Sequence, residues 1–251
     1  FNAWGNKYNG FDEDAAFGRR VIEALDMRRY EGPMVLEGGS IHVDGQGTVI
    51  TTEECLLNPN RNPGLSRAQI ETQLKRYLNV ETVVWLGKGV LHDETDGHVD
   101  NLCAYVRPAE VVLTWTNDRN DPQYEISRDA YERLRDARDA RGRRFKVHKL
   151  QQPGPLHMTA EEAAGVDVAE GTQPRAAGGR MAASYVNFYI GNRRIVAPLL
   201  DPRRDRDALR KLQDLFPKRE VVGVPGRELL LGGGNVHCVT QQVPLARDRR
   251  R

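Results

Sequence analysis

The sequence has few cysteines, no long apolar run and almost no excess of either charge, and each absence excludes a class of protein. Three cysteines without CxxC spacing argue against a disulfide framework or a zinc ribbon. No apolar run approaches the roughly 18 residues of a membrane span, and there is no signal-peptide pattern. A net charge of +2 argues against nucleic acid. We therefore predict a cytoplasmic protein that binds neither nucleic acid nor membrane; self-association as a homo-oligomer stays open.

The two ends of the chain bound its domain organisation. The chain begins at Phe1 with no methionine, inside a segment that is typical of a strand and turn, residues 1–5. We therefore expect an N-terminal part of the domain to be absent. Residues 247–251 are too short for more than a charged tail. The prediction is a single domain over residues 1–246, incomplete at its N-terminus.

An order of strand, strand, helix, strand recurs along the chain and predicts an α/β fold. Repetition over tens of residues indicates a radial or stacked arrangement, which brings equivalent strand starts together. Packing of two independent domains is the alternative. The predicted strands are 34–37, 40–44, 48–51, 82–86, 97–106, 110–116, 145–150, 184–190, 194–198 and 221–224; the predicted helices are 12–30, one from Ser66, one from Pro122 to near Gly142, and 204–216.

Three glycines, residues 232–234, precede a β-type run that carries Cys238. Glycine lets another group approach the main chain closely, and a thiol after such a bend suits a nucleophile at the mouth of a pocket. A buried structural cysteine is the alternative. On a strand, His237 would face away from Cys238, so we expect a structural role for it.

His98 and Asp100 lie two apart in a predicted strand, so their side chains would share a face. An imidazole and a carboxylate at that spacing, with a thiol elsewhere, suit proton transfer and nucleophilic attack. His42 and Asp44 repeat the pattern, which opens an alternative: a metal-dependent hydrolase with two histidines and two aspartates as ligands. Cys55 and Cys103 are expected to be buried small apolar residues, and Asn187 to satisfy backbone groups.

Three long motifs then stand in order: residues 37–45 (EGGSIHVDG), 97–100 (GHVD) and 232–242 (GGGNVHCVTQQ). Together with the opening residues they resemble the agmatine deiminase family of the guanidine-modifying superfamily. The resemblance implies a fivefold β/α-propeller, the pentein fold of ββαβ repeats, with the first repeat before Phe1. It also implies hydrolysis of agmatine to N-carbamoylputrescine and ammonia in putrescine biosynthesis. No metal and no organic cofactor is implied.

The resemblance further implies a role for each catalytic side chain. Cys238 would attack the guanidinium carbon as a thiolate. His98 would protonate the departing ammonia and then activate water. Glu37 would orient His98, and Asp100 would hold two guanidinium nitrogens in a charge-assisted pair.

Three further residues are expected at the substrate. Arg175 could close over it from a long loop, although an exposed salt-bridging arginine is the alternative. Trp4 could line the pocket, with a core aromatic as the alternative, and Gly234 would allow the substrate close to the main chain.

One departure from the family pattern concerns a second guanidinium-binding aspartate, in an Arg-Asp-x-Gly-Pro motif. That motif would lie before Phe1, so no residue here can take its role. We therefore expect the 251-residue chain alone to have little or no deiminase activity, while its full-length parent has that activity. Two other functions stay open: a bacterial-type peptidylarginine deiminase, and a catalytically silent paralogue that only binds partners or guanidines.

Overall fold

A computed structural model describes residues 1–166, 170 and 174–243. Within those ranges three sheets share one connectivity. In each, the first strand pairs antiparallel with the second, and the second pairs parallel with the third. A parallel pair needs a crossover, which a helix supplies in each unit. The strand–strand–helix–strand repeat predicted from the sequence is therefore confirmed, as is the mixed α/β class.

The first half of the chain contains a short N-terminal segment and two of these units. In chain order its elements are α1 (Ala3–Asn6), α2 (Asp12–Ala24), a 3₁₀ turn (Gly38–Ser40), β1 (Ile41–Val43), β2 (Thr48–Thr52), α3 (Glu53–Leu56), α4 (Arg67–Leu78), β3 (Thr82–Leu86), α5 (Val99–Leu102), β4 (Cys103–Arg107), β5 (Glu110–Trp115), α6 (Gln123–Asp136) and β6 (Lys146–Gln151).

The second half contains the third unit and the segment that carries Cys238. Its elements are α7 (Ala160–Ala164), β7 (Tyr189–Ile190), β8 (Arg194–Leu199), α8 (Asp205–Leu215), β9 (Glu220–Pro225) and α9 (Arg227–Leu231). Neither α7 nor α9 was predicted. The charged tail expected at 247–251 and the last residues of the predicted domain lie outside the described residues.

The crossover helices join one unit to the next. Helix α6 packs on β5 of its own sheet and on β3 of the preceding one, and α8 packs in the same way on β9 and β6. The β4–β5–β6 sheet is consequently buried on both faces: Val111 and Leu113 of β5 enter one apolar cluster and Val112 enters another. Because successive sheets are sandwiched in this way, the starts of their first strands lie near one another.

Local sequence signals explain the helices that were predicted well. Ser66 and Gln69 form the capping box expected at the start of α4, and Ile70 and Leu74 of that helix are buried. Pro122 immediately precedes α6, which ends at Asp136 rather than near Gly142.

Two details predicted near the N-terminus were wrong: the strand at residues 1–5 and the length of the first long helix. Residues 3–6 form a left-handed turn rather than a strand, with positive φ at Ala3, Trp4, Gly5 and Asn6. Helix α2 begins at Asp12 as predicted but ends at Ala24 rather than at residue 30; none of its residues is buried, and Phe17 is 66% exposed. The apolar residues of α2 therefore do not form part of the core.

Several predicted strands are also replaced by tighter structure at the starts of the units. Residues 34–37 are not a strand, His98 precedes the helical turn α5, and β7 holds just two residues. Residues 236–239 are turns rather than a strand. No helix among the described residues combines the length and apolarity needed to cross a bilayer.

Candidate active site

His98 lies between two buried carboxylates and presents a different ring nitrogen to each side. Its Nε2 lies 3.9 Å from Glu37 Oε2. On the other side, a Cβ added to Gly39 would lie 2.5 Å from His98 Nδ1 and 2.8 Å from Asp100 Oδ2. The absence of a side chain at Gly39 therefore keeps open the space that Nδ1 and Asp100 both face.

A buried arginine, Arg61, holds the carboxylate of Glu37 in place. Arg61 Nε donates to Glu37 Oε1 at 2.7 Å, and the Arg61 side chain is fully buried. Its other nitrogens donate to Asn60, to Thr95 and, at 2.8 Å, to Asp96 Oδ2. A guanidinium held at all three nitrogens cannot rotate, so it holds Glu37 with Oε2 directed at the imidazole.

Asp100 is fixed on the opposite side by the segment that carries the thiol. His237 Nδ1 lies 2.8 Å from Asp100 Oδ2, and the Cys238 thiol donates to the same oxygen at 3.4 Å. Within the described part of the chain Asp100 Oδ1 has no hydrogen-bond partner, although Asp100 is 1% exposed. A buried acceptor without a partner is costly unless a ligand completes it. This oxygen is thus available to a cationic donor.

The thiol is further positioned by Asn187. Asn187 Nδ2 donates to Cys238 Sγ at 3.2 Å, and Asn187 Oδ1 accepts from the His237 backbone at 2.9 Å. Cys238 is itself exposed. Asn187, Asp100 and Gly234 lie around the sulfur and hold its direction, while the rest of the residue reaches solvent.

The surroundings set the charge of each group. Burial alone would lower the pKa of His98, but Cys55, Glu37 and Asp100 outweigh it and raise that pKa to about 10. Burial also opposes ionisation of the two carboxylates, yet His98 with Arg61 lowers the pKa of Glu37, and His237 with His98 lowers that of Asp100. The site therefore holds an imidazolium between two carboxylates.

The pKa of the Cys238 thiol is raised, unlike the pKa values of the two carboxylates. Burial, and then the charge of Asp100, raise the pKa of Cys238 above its usual range. The sulfur is therefore protonated in the free protein, and a cation beside Asp100 would favour the thiolate.

The structure brings together Cys238, His98, Glu37 and Asp100, but for reasons that differ from the predicted ones. His98 and Asp100 do not alternate along a strand; His98 is extended and Asp100 lies in the helical turn that follows. His237 does not face away, because a turn rather than a strand directs it to Asp100. Asn187 contacts the sulfur in addition to a backbone group.

The alternative metal site does not form as predicted. Asp44 Oδ1 accepts from the backbone of Gln46 and Thr48, as a turn cap. His42 is half-buried, and its pKa is lowered to about 4, chiefly by desolvation of the imidazole and then by the charge of His237. In the described ranges His42 and Asp44 belong to no group of metal-ligand spacing.

The three residues expected at the substrate have different surroundings. Gly234 packs on Cys238: a Cβ there would be 3.2 Å from the sulfur. Arg175 pairs with Glu94 beside Gly233, where it lines a cavity of about 110 Å³. Trp4 is half-buried and packs edge-on against Phe1 and Tyr8, so it is not a core aromatic.

Four residues of the site were missed or undervalued in the sequence: Arg61, His237, Asn187 and Cys55. Arg61 carries no local signal, because its partners Glu37 and Asp96 are distant in the chain. Two of the four residues did carry a signal in the sequence. His237 adjoins the thiol, and Cys55 follows a buried β-type run, Thr48–Thr52.

Fold and site together define a mixed α/β protein in which a thiol, an imidazolium and two carboxylates meet. A model of the Porphyromonas-type peptidyl-arginine deiminase family matches residues 1–244. A relative from Shewanella frigidimarina, named as an agmatine deiminase, is 57% identical over 97% of this chain and 67% of its own length. The chain thus spans about two thirds of that relative.

Solved structures that resemble this chain carry similar names. The agmatine deiminase of Enterococcus faecalis is 46% identical, with a TM-score of 0.92 over 97% of this chain and 68% of its own. A structure from Porphyromonas gingivalis named as an arginine deiminase is 35% identical, with a TM-score of 0.83 over 97% of this chain and 68% of its own. The chain belongs to the Porphyromonas-type peptidyl-arginine deiminase family.

Proposed function

We propose that this protein is a hydrolase of the guanidinium group of agmatine that works through a covalent bond to Cys238. One observation carries the proposal. Asp100 Oδ1, which has no partner in the described ranges, lies in a cluster that also holds the thiol and the imidazolium. A planar cation with several N–H donors fits that oxygen.

In the first half of the reaction, Asp100 holds the guanidinium nitrogens. The bound positive charge offsets the charge of Asp100, so the Cys238 thiol releases its proton to solvent and the thiolate attacks the guanidinium carbon. A tetrahedral intermediate forms. His98 Nδ1–H donates its proton to one nitrogen, the carbon–nitrogen bond breaks, and ammonia leaves.

In the second half, His98 is neutral and accepts a proton from water as that water attacks the amidino-thioether carbon. The carbon–sulfur bond then breaks, the thiolate of Cys238 is released, the hydroxyl proton of the product passes to solvent, and N-carbamoylputrescine leaves. Glu37 keeps the imidazole in one orientation through both steps and stabilises its charged form. We propose that Arg175, Trp4 and Gly234 contact the rest of the substrate from the rim.

Agmatine is proposed ahead of peptidyl arginine because of the relatives. Identity is 57% and 46% to proteins named as agmatine deiminases, against 35% to the structure named as an arginine deiminase. Such a protein serves putrescine biosynthesis. Equal concentrations of agmatine and of a peptide ending in arginine would separate the two: faster turnover of the peptide overturns the choice of substrate.

Labelling with 2-chloroacetamidine tests the chemistry apart from the substrate. We expect the amidine to alkylate Cys238, which peptide mapping by mass spectrometry would locate, and agmatine to protect it. Cys55 and Cys103, both buried, serve as internal controls. An unlabelled Cys238, or equal labelling of all three thiols, would favour the catalytically silent paralogue.

We also propose that the three units belong to one domain, a fivefold β/α-propeller, which a structure showing five such units around one axis would establish. The cytoplasmic location and self-association remain predictions. Three free thiols, Cys55, Cys103 and Cys238, fit a reducing compartment.

A further inference from the structure

A second cluster lies behind His98, on the side away from the space beside Gly39. Ligand atoms of Glu37, Cys55 and His98 all lie within 4.8 Å of one another. Each residue is buried: Cys55 is 0%, His98 4% and Glu37 7% exposed. The mechanism proposed above uses Glu37 and His98 but assigns nothing to Cys55.

Two of these ligand atoms have no hydrogen-bond partner within the part of the chain that the structure describes. They are Glu37 Oε2 and His98 Nε2, which lie 3.9 Å apart. Buried polar atoms are almost always paired, so two unpaired atoms that face each other and a thiol mark a place where a ligand would be stabilised. The other oxygen of Glu37 is occupied by Arg61 and stays fixed.

Cys103 shows that burial of a thiol does not by itself create a candidate metal site. It is also 0% exposed, but burial alone shifts its pKa, and it belongs to no cluster of ligand atoms among the described residues. Cys55 instead lies in α3, which directly follows β2, and there it faces His98. The two cysteines were expected to be equivalent, and their surroundings differ.

The geometry points to a binding site for a divalent ion of the zinc class, formed by Glu37, Cys55 and His98. A thiolate, an imidazole and a carboxylate are the ligands that Zn²⁺ prefers. Tetrahedral coordination places such ligand atoms about 3 to 4 Å apart, so movements of about 1 Å would close the site. Three protein ligands leave one position for water.

The charges balance without help from another molecule. Binding of Zn²⁺ displaces the thiol proton of Cys55 and the Nε2 proton of His98, and both protons pass to solvent. One divalent cation and one thiolate replace one imidazolium, so the net charge beside Glu37 and Arg61 is unchanged. The buried cluster therefore accepts the ion without an uncompensated charge.

An ion at this position would inhibit the protein. Once metal holds Nε2 and Glu37, His98 can no longer exist as the imidazolium that donates to the leaving nitrogen. This inhibition rests on the proposed function, whereas binding of the ion does not. The two are therefore measured separately.

Binding is tested with Co²⁺ alone, whose bonds to thiolate produce a near-ultraviolet charge-transfer band. We expect the band to appear with one Co²⁺ per chain in the unaltered protein and in the Cys103→Ser and Cys238→Ser variants. Cys55→Ser should abolish it and weaken Zn²⁺ binding at least about 10-fold. A band that persists in Cys55→Ser, a band lost in Cys238→Ser, or no band in any protein overturns the site.

Two further measurements guard against misfolding and against failure of the proposed function. Anomalous scattering at the zinc edge from crystals of the unaltered protein should place one ion between Glu37, Cys55 and His98; a peak elsewhere overturns the proposal. In turnover assays, Zn²⁺ should inhibit the unaltered protein reversibly and Cys55→Ser at least about 10-fold less. Equal inhibition of both overturns the link to His98, even where the Co²⁺ band confirms binding.

Discussion

Glu37 and Asp100 are both buried carboxylates next to His98, yet the protein treats them differently. Glu37 has one oxygen fixed by Arg61 and the other directed at Nε2. Asp100 has one oxygen shared by His237 and Cys238, and its other oxygen has no partner among the residues that the structure describes. One carboxylate therefore stabilises the catalytic imidazole, and the other is prepared for a cation that arrives with the substrate.

Replacement of Asp100 should produce the largest effect and tests this difference most sharply. Asp100→Asn puts an amide where the cation needs a carboxylate, so we expect a loss of about 3 kcal/mol or more, over 100-fold in kcat/KM for agmatine. Asp44→Asn is the matched control, because Asp44 also follows a His-x pattern but caps a turn. Comparable losses in both variants would mean that Asp100 has no specific role in binding the cation.

Replacement of Glu37 should reduce the rate less and change its pH dependence. Glu37→Gln removes a charge that favours the imidazolium, so the pKa of His98, about 10 in this protein, should fall. Because His98 donates a proton, activity should then decline at lower pH on the alkaline side, with a loss of about 10- to 100-fold in kcat.

The pH profile of kcat measures this change, with Glu53→Gln as the control at a carboxylate that pairs with Arg67 and Arg133. An alkaline limb that does not move in Glu37→Gln would contradict the assigned role of Glu37.

Arg61 connects the Glu37 side of the site to the fold and should affect stability. Arg61→Lys keeps the charge but cannot donate to Glu37, Asp96 and Thr95 together, so we expect a loss of about 2 kcal/mol in the free energy of unfolding. Urea unfolding would measure it. Arg67→Lys, at an exposed arginine, should cost much less, and equal losses would mean that Arg61 holds nothing specific.

The smallest effect concerns a carboxylate outside the site. Contacts with Arg107 and His148 outweigh burial and lower the pKa of Glu110 to about 2. Its contribution to stability is therefore present above about pH 4.5 and lost as the pH falls toward 2.

Glu110→Gln should thus be less stable by under about 1 kcal/mol at pH 7, with the difference shrinking at pH 3. Urea unfolding at both values checks this, against Glu220→Gln at an exposed pair. A difference that grows on acidification would reverse the assigned sign.

The sequence predicted the parts of the fold whose signals are local. The strands β2, β3 and β5 and the helices α4 and α8 carry clear periodicity, and the capping box at Ser66 begins α4 where expected. The left-handed turn at residues 3–6 lacks such a signal. It is held by a local contact, in which the Gly5 amide donates to Asn2 Oδ1, and by distant contacts such as Asn2 with Asn60, so apolar periodicity does not reveal it.

In the candidate site, too, residues with local sequence signals were predicted and residues that act through distant contacts were not. Cys238, His98, Asp100 and Glu37 belong to motifs long enough to be found, although their strand geometry was wrong. Arg61 and Asn187 act through contacts 24 and 51 residues away in the chain, which no spacing rule contains. Cys55 was predicted to be buried, and it is, but its neighbours could not be read from its position.

The central claim is a covalent bond between the guanidinium carbon and Cys238, formed with help from His98. Acid quenching during agmatine turnover, followed by peptide mapping with mass spectrometry, tests it most directly. The account predicts an amidino adduct on the Cys238 peptide, absent in Cys238→Ser and unaffected in Cys103→Ser. Turnover of agmatine without any adduct, or with the adduct on another residue, would contradict it.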